Sequence, residues 1–145
     1  MTGPAVEARI RQFLLILSLL SLGATVAELI LHEHTGELLQ WIPFFLCGFG
    51  AVAVIAALAR PGQTTLRWLR VAMVIVAVGG LFGVFIHLRE NMLFEQEIRP
   101  NAAGMDVLLN ALKGASPLFA PAALLFAALL GLLATYYHPV FSRRE

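Results

Sequence analysis

Glu28 is the one acidic residue inside an apolar run of this chain, and His32 follows it at the spacing of one helical turn. A second imidazole, His87, closes a later apolar run and is followed at the same spacing by Asn91. An intramembrane carboxylate costs about 2.5 to 3.5 kcal/mol on insertion scales, so Glu28 needs a compensating partner. At about 1.5 Å rise per residue it lies roughly 6 Å deeper than His32 on the same helix face, and His87 sits at the matching depth of another helix. The expected arrangement is a convergence of Glu28, His32 and His87 near the exterior end of a helical bundle, with Gln40, Glu90 and Asn91 at the rim. His34, two positions from His32, is expected to face water.

Several chemistries could use two imidazoles and one or two carboxylates. A transition metal such as zinc, copper or iron accepts this ligand set, although the chain has no HExxH, no paired ExxH and no cysteine ligand. A b-type haem, haem b, held by His87 with His32 or His34 would suit a four-helix bundle. Proton handling or quinone binding needs only Glu28 with His87. A purely structural reading is a buried, hydrogen-bonded Glu/His/Asn network that sets helix register. Residue types alone leave these open. Nucleophilic catalysis has no elbow motif to support it, and Glu90, Glu95 and Glu97 read as a solvated helix face rather than an acid/base pair.

The elements that must position these groups are membrane helices. Of 145 residues, 59% are hydrophobic and 13% charged, against about 25% charged in soluble domains; the mean hydropathy is +0.83. That composition excludes a water-soluble fold. Four apolar runs place spans at about 12–31, 41–59, 70–88 and 117–137, each near the roughly 20 residues that a helical crossing uses. An open sheet cannot cross a bilayer, and the alternation of a barrel strand is absent, so the expected fold class is all-α. The whole chain, 1–145, reads as one transmembrane domain: a four-helix bundle with a short amphipathic interfacial helix in the exterior loop between spans three and four. A net charge of +1 without like-charge runs argues against a nucleic-acid partner. The single cysteine, Cys47, has no internal partner and reads as a packing residue.

Orientation follows from the basic residues. Arg9, Arg11, Arg60, Arg67, Arg70, Arg143 and Arg144 fall on one side, and Arg89, Arg99 and Lys113 on the other. Seven against three puts both termini in the cytoplasm, in a plasma (inner) membrane. A competing reading takes the N-terminal run as a signal peptide cleaved after Ala27, but apolar residues resume at Leu29-Ile30-Leu31 and complete a span. Pro100 should end a helical extension of the third span near Glu97. Between Gly104 and Gly114, Met105, Leu108, Leu109 and Leu112 recur at helical spacing and predict the interfacial helix. Gly114 suits its C-terminal cap, with Ser116 as N-cap and Pro117 as first residue of the last helix, which Pro121 would kink.

Helix contacts in lipid are marked by small and polar residues at three-and-four spacing. The stripes are Ser18, Ser21, Thr25, Glu28 and His32; Pro43, Cys47, Gly50, Val54 and Ala57; Gly80, Gly83, His87 and Glu90, with Gly79 and Gly83 as a GxxxG pair; and Ala120, Ala127, Gly131 and Ala134.

The chain resembles a set of small, uncharacterised bacterial four-span membrane proteins. The resemblance rests on Ala27-Glu28-Leu29 with Gln40 and Pro43, on His87 with Asn91 and Phe94-Glu95, on Gly114-Ala115-Ser116-Pro117 with Ala120-Pro121, and on His138-Pro139. No activity, cofactor or partner attaches to that set. It implies that the polar exterior cluster and the Ser-Pro entry to the last helix belong to one site. The expected function is a non-catalytic accessory or partner-binding bundle in the lipid bilayer, within a larger membrane complex or as a homo-oligomer. The alternative is a membrane protein that binds a metal or a redox cofactor through Glu28, His32 and His87.

Overall fold

The computed structural model describes residues 3–114 and 116–142. Arg143 and Arg144, which enter the orientation count, lie outside the described residues. The chain is all-helical, with no strand among the described residues. Its elements are α1 (Gly3–Leu31), a 3-10 turn (Leu38–Trp41), α2 (Ile42–Ala59), α3 (Gln63–Ile98), α4 (Gly104–Ala111), α5 (Phe119–Ala134) and the short α6 (Pro139–Ser142).

Three helical segments are long and apolar enough to cross a membrane: Gly3–Leu31, Leu38–Ala59 and Gln63–Ile98. α5 is apolar but has only 16 residues, about 24 Å at 1.5 Å per residue against a hydrocarbon core of about 30 Å. It is shorter at both ends than the run at 117–137 predicts. At its start, the Ser116 backbone is bonded to the Asn91 side chain instead of opening a helix, so the N-cap falls at Leu118 and not at Ser116. Pro121 is then the third helical residue, where its missing N–H has no intrahelical partner to lose, and the first turn absorbs it. At the other end, the Thr135 hydroxyl donates to Leu132 O, and Tyr137 turns into the left-handed region at φ 44°.

The helices pack as neighbours around a shared core. α5 lies chiefly on α3 and α1, α2 lies on α3 and α1, and α4 lies on α3. Bonds from Ser18 to Ala127 O and from Ser21 to Ala123 O show α1 antiparallel to α5. Asn91 at Ser116 and Arg70 at Thr135 show α3 antiparallel to α5 as well. Both described ends of the chain therefore lie together, next to the α2–α3 turn. That turn is closed by Thr65, whose hydroxyl accepts from Gly62 N and donates to Arg60 O.

Met73 fills the centre. It is fully buried, its Cε lies 3.3 Å from where a Cβ on Gly50 of α2 would sit, and its Sδ lies 2.6 Å from a Cβ built on Gly131 of α5. A larger residue at Gly131 would displace this methionine. Gly80 and Gly83 let the N-terminus of α5 close on α3: a Cβ at either would come within 2.9 Å of Pro121. Gly79, one residue from Gly80, meets Leu46 of α2 instead, so the glycines of α3 serve two neighbours and not one face.

The outward surface is apolar. Leu20, Phe45, Val52, Val78, Phe82 and Phe85 are all exposed, Phe45 at 74%, as large apolar side chains on three helices are where lipid is the solvent. On α4, Val107 and Ala111 are the residues buried in the fold, while Met105, Leu109 and Leu112 are exposed. The apolar stripe predicted for this helix is thus mostly turned away from the protein.

Candidate functional site

The end of the molecule that holds the α1–α2 and α3–α5 connections carries the predicted cluster, and its residues separate into three places. Glu28 is half-buried on the flank of α1 and lines a groove with Ser21, Ala24, Thr25, Phe119, Ala122, Ala123 and Phe126. Its neighbour is therefore α5, not α3. The reason lies in the register of α1: the residues that face the core are Leu15, Ser18, Leu22, Thr25 and Leu29, and Glu28 stands one residue, about 100° of helix, from that line.

His32 is exposed just past the end of α1. The chain then reverses at Glu33, a non-glycine residue at φ 49°, and His34 N bonds back to Leu29 O at 3.0 Å. This reversal turns the His34 ring inward. It stacks on His87 with ring centroids 6.2 Å apart and planes 30° apart, which corrects the expectation that His34 faces water. Burial, then the His87 ring, then His32 hold the His34 pKa below the ordinary 6.5. His87 is half-buried, and its Nδ1 is a buried atom with no hydrogen-bond partner. Among the described residues, no group of three or more His, Cys, Asp or Glu side chains could hold a metal ion. Glu28, His32 and His87 are thus not assembled as one ligand set; the pair that the fold brings together is His34 with His87.

The rim residues also part company. Gln40 Oε1 accepts from Gly36 N at 2.8 Å and Glu37 N at 3.3 Å, closing the 3-10 turn. Glu90 is exposed. Asn91 is 3% exposed, and its amide donates to Ala111 O at 3.0 Å and Ser116 O at 2.9 Å while Oδ1 accepts from Ser116 N at 2.9 Å. One side chain thereby binds α4 and the entry to α5 onto α3. Gly114 passes so close that a Cβ there would lie 2.6 Å from Asn91 Oδ1. Among the described residues no glycine has a positive φ, so Gly114 is required by this approach and not as a left-handed cap.

A second polar cluster lies at the opposite end. The Arg70 guanidinium donates from Nε to Thr135 Oγ1 at 2.9 Å and from Nη2 to Thr135 O at 2.8 Å, and it stands 4.1 Å from the centre of the Phe141 ring. Arg11 Nη2 donates to Tyr137 O at 3.1 Å and pairs with Glu7 at 3.3 Å. His138 accepts from Val140 N at 3.3 Å; burial, then Arg11 and Arg70, hold its pKa low. Sequence reasoning counted Arg11 and Arg70 for orientation alone. The available signal was Thr135, the one serine or threonine in the last apolar run.

Comparisons with known protein families, with curated proteins and with solved structures find no match for this chain.

Proposed function

We propose that this is a multi-pass protein of a bacterial inner (plasma) membrane, in which α1, α2, α3 and α5 form a four-helix transmembrane bundle with both termini cytoplasmic. It works without catalysis of its own, as an accessory or partner-binding component of a larger membrane complex or as a homo-oligomer. The observation that carries this reading is how the interior polar side chains are used. Ser18, Ser21 and Asn91 direct their hydrogen bonds to the backbone of a neighbouring segment, and Arg70 divides its bonds between the hydroxyl and the carbonyl of Thr135, which is what interhelical polar glue does.

Supporting the topology, the end with both described termini and the α2–α3 turn carries Arg9, Arg11, Arg60, Arg67 and Arg70. Pro117 and Leu118 before α5, and Thr135 to Tyr137 after it, extend its short path toward both interfaces. The exposed Met105, Leu109 and Leu112 fit α4 lying on the outer lipid surface. Likeness to small bacterial four-span proteins is the reason for a bacterial membrane. The metal or redox-cofactor reading keeps one supporting feature, the unpaired Nδ1 of His87 beside His34.

Metal analysis and an absorption spectrum of the detergent-purified protein separate the two. The accessory reading expects a colourless, metal-free protein that co-purifies with another subunit or with itself. Stoichiometric metal or a haem band, abolished in His87→Ala, would replace it with the cofactor reading. A Lys113→Cys variant should be labelled by a membrane-impermeant thiol reagent from outside; labelling only after the membrane is opened would overturn the orientation.

A further inference from the structure

We propose that the groove between α1 and α5 binds an aminophospholipid, its primary ammonium seated on Glu28 and the adjoining acyl chain lying along the groove. The inference goes beyond the accessory role and needs only that the chain lie in a membrane.

The groove is open along its outer side and offers about 490 Å³, against about 300 to 1,000 Å³ for typical small-molecule sites. Ala24, Ala122 and Ala123 line it together with the rings of Phe119 and Phe126. Ala24, Phe119, Ala122 and Phe126 are all exposed, so it opens sideways, where a bilayer would supply lipid and not water. Its two hydroxyls are already used: Ser21 donates to Ala123 O, and Thr25 to Ser21 O. Among the groove's lining residues, Glu28 is left with a polar group that has no hydrogen-bond or ion-pair partner.

Depth and chemistry then select the occupant. Glu28 lies three residues from the end of α1, about 4.5 Å at 1.5 Å per residue, close to where headgroups meet hydrocarbon. Phe119, the first residue of α5, lines the groove at the same end. From there to Ser21 the groove follows α1 for about 10 Å into the apolar layer. An ionised carboxylate only accepts hydrogen bonds, and a primary ammonium offers three donors and the opposite charge. A trimethylated ammonium offers no N–H donor, and an anionic headgroup without an amine would meet Glu28 with like charge. An ethanolamine headgroup is the common lipid chemistry that satisfies both demands.

The test is native mass spectrometry of the delipidated full chain in detergent, titrated with phosphatidylethanolamine, phosphatidylcholine and phosphatidylglycerol of matched acyl chains. The wild type is expected to take one phosphatidylethanolamine in preference to the other two. Glu28→Gln should weaken that binding about tenfold, as loss of one charge-assisted hydrogen bond implies, and bring it to the phosphatidylcholine level. Ala122→Leu, which keeps the carboxylate but narrows the groove, should weaken binding of all three lipids. Equal binding of the three lipids by the wild type, or unchanged ethanolamine preference in Glu28→Gln, would overturn the proposal. Should Glu28→Gln lose its helical circular dichroism, Ala122→Leu decides alone, and undiminished binding there overturns it. Failure here leaves the accessory reading standing, since that is judged by metal content, colour and co-purifying subunits.

Discussion

At the end that holds both described termini, the Arg70 fork ties α3 to the last turn of α5 through Thr135, and Arg11 does the same from α1 through Tyr137. At the opposite end, the neutral amide of Asn91 ties α3 to α4 and to the entry of α5. Both ends solve one problem: α5 is too short to bury its own terminal backbone groups, and each end lends it a side chain from α3. They differ in what remains. At the Arg70 end the side chains that meet α5 are bonded, Arg70 to Thr135 and Arg11 to Tyr137 O, and the Phe141 ring lies against the Arg70 guanidinium. The Asn91 end leaves the Glu28 carboxylate facing the α1–α5 groove and the His87 Nδ1 without a partner. Uncompensated polar groups are costly in a membrane, and this contrast is why the proposed lipid site lies at the Asn91 end.

The strongest way to break this comparison is to remove the amide clamp. Asn91→Leu keeps the branched shape, with a bulkier tip, but strands Ala111 O, Ser116 O and Ser116 N, and should destabilise the protein by about 3 kcal/mol. SDS titration of the protein in mixed micelles measures it, and proteolysis between α4 and α5 should rise. A loss below about 1 kcal/mol would mean that the packing of Val107 and Ala111 holds this connection. Gly114→Ala, whose methyl would press on Asn91 Oδ1, should cost about 1 to 3 kcal/mol. The cost should shrink when combined with Asn91→Ala, because the two residues share one contact.

Arg70→Lys sharpens the comparison at the other end. Lysine keeps the charge and loses the planar fork that reaches the Thr135 hydroxyl and carbonyl together. The expected loss is about 1 to 2 kcal/mol in the same titration. A lysine variant as stable as the wild type would show that this end is held by charge alone and not by the paired hydrogen bonds.

Much of the fold was legible because lipid burial follows from composition: the first three apolar runs lie in α1, α2 and α3, and Cys47, Gly50, Val54 and Ala57 are the buried residues of α2. The stop of α3 at Ile98 was legible too, since Pro100 disfavours a helical Arg99. What could not be read depends on one side chain meeting one distant backbone. Nothing local to Ser116-Pro117 says that Asn91, 25 residues earlier, takes the bonds a helix start would use. The predicted cluster failed to assemble for a related reason. A stripe at three-and-four spacing defines a face only to within about one residue, or 100°, and that margin separates Leu29, which faces the core, from Glu28, which faces the groove beside α5. His34 was misread because its direction is set by the left-handed Glu33, a conformation that non-glycine residues rarely adopt.

The smallest expected effect compares the two ends through their histidines. His34 is held below its ordinary pKa by burial and by His87 and His32, and His138 by burial and by Arg11 and Arg70. A histidine whose pKa is lower in the folded state binds fewer protons there than in the unfolded chain. Its contribution to stability is therefore complete above the unfolded value of about 6.5 and is lost as pH falls through it toward the folded value. Thermal midpoints in detergent should fall modestly between about pH 7.5 and 5.5, since solvent still reaches both rings and screens the charges. His34→Gln should remove part of that fall, and Arg70→Met, which takes one guanidinium away from His138, should remove a different part. If His34→Gln leaves the pH dependence unchanged, the stacked pair with His87 does not constrain the proton on His34, and the contrast between the two ends rests on Glu28 and its groove alone.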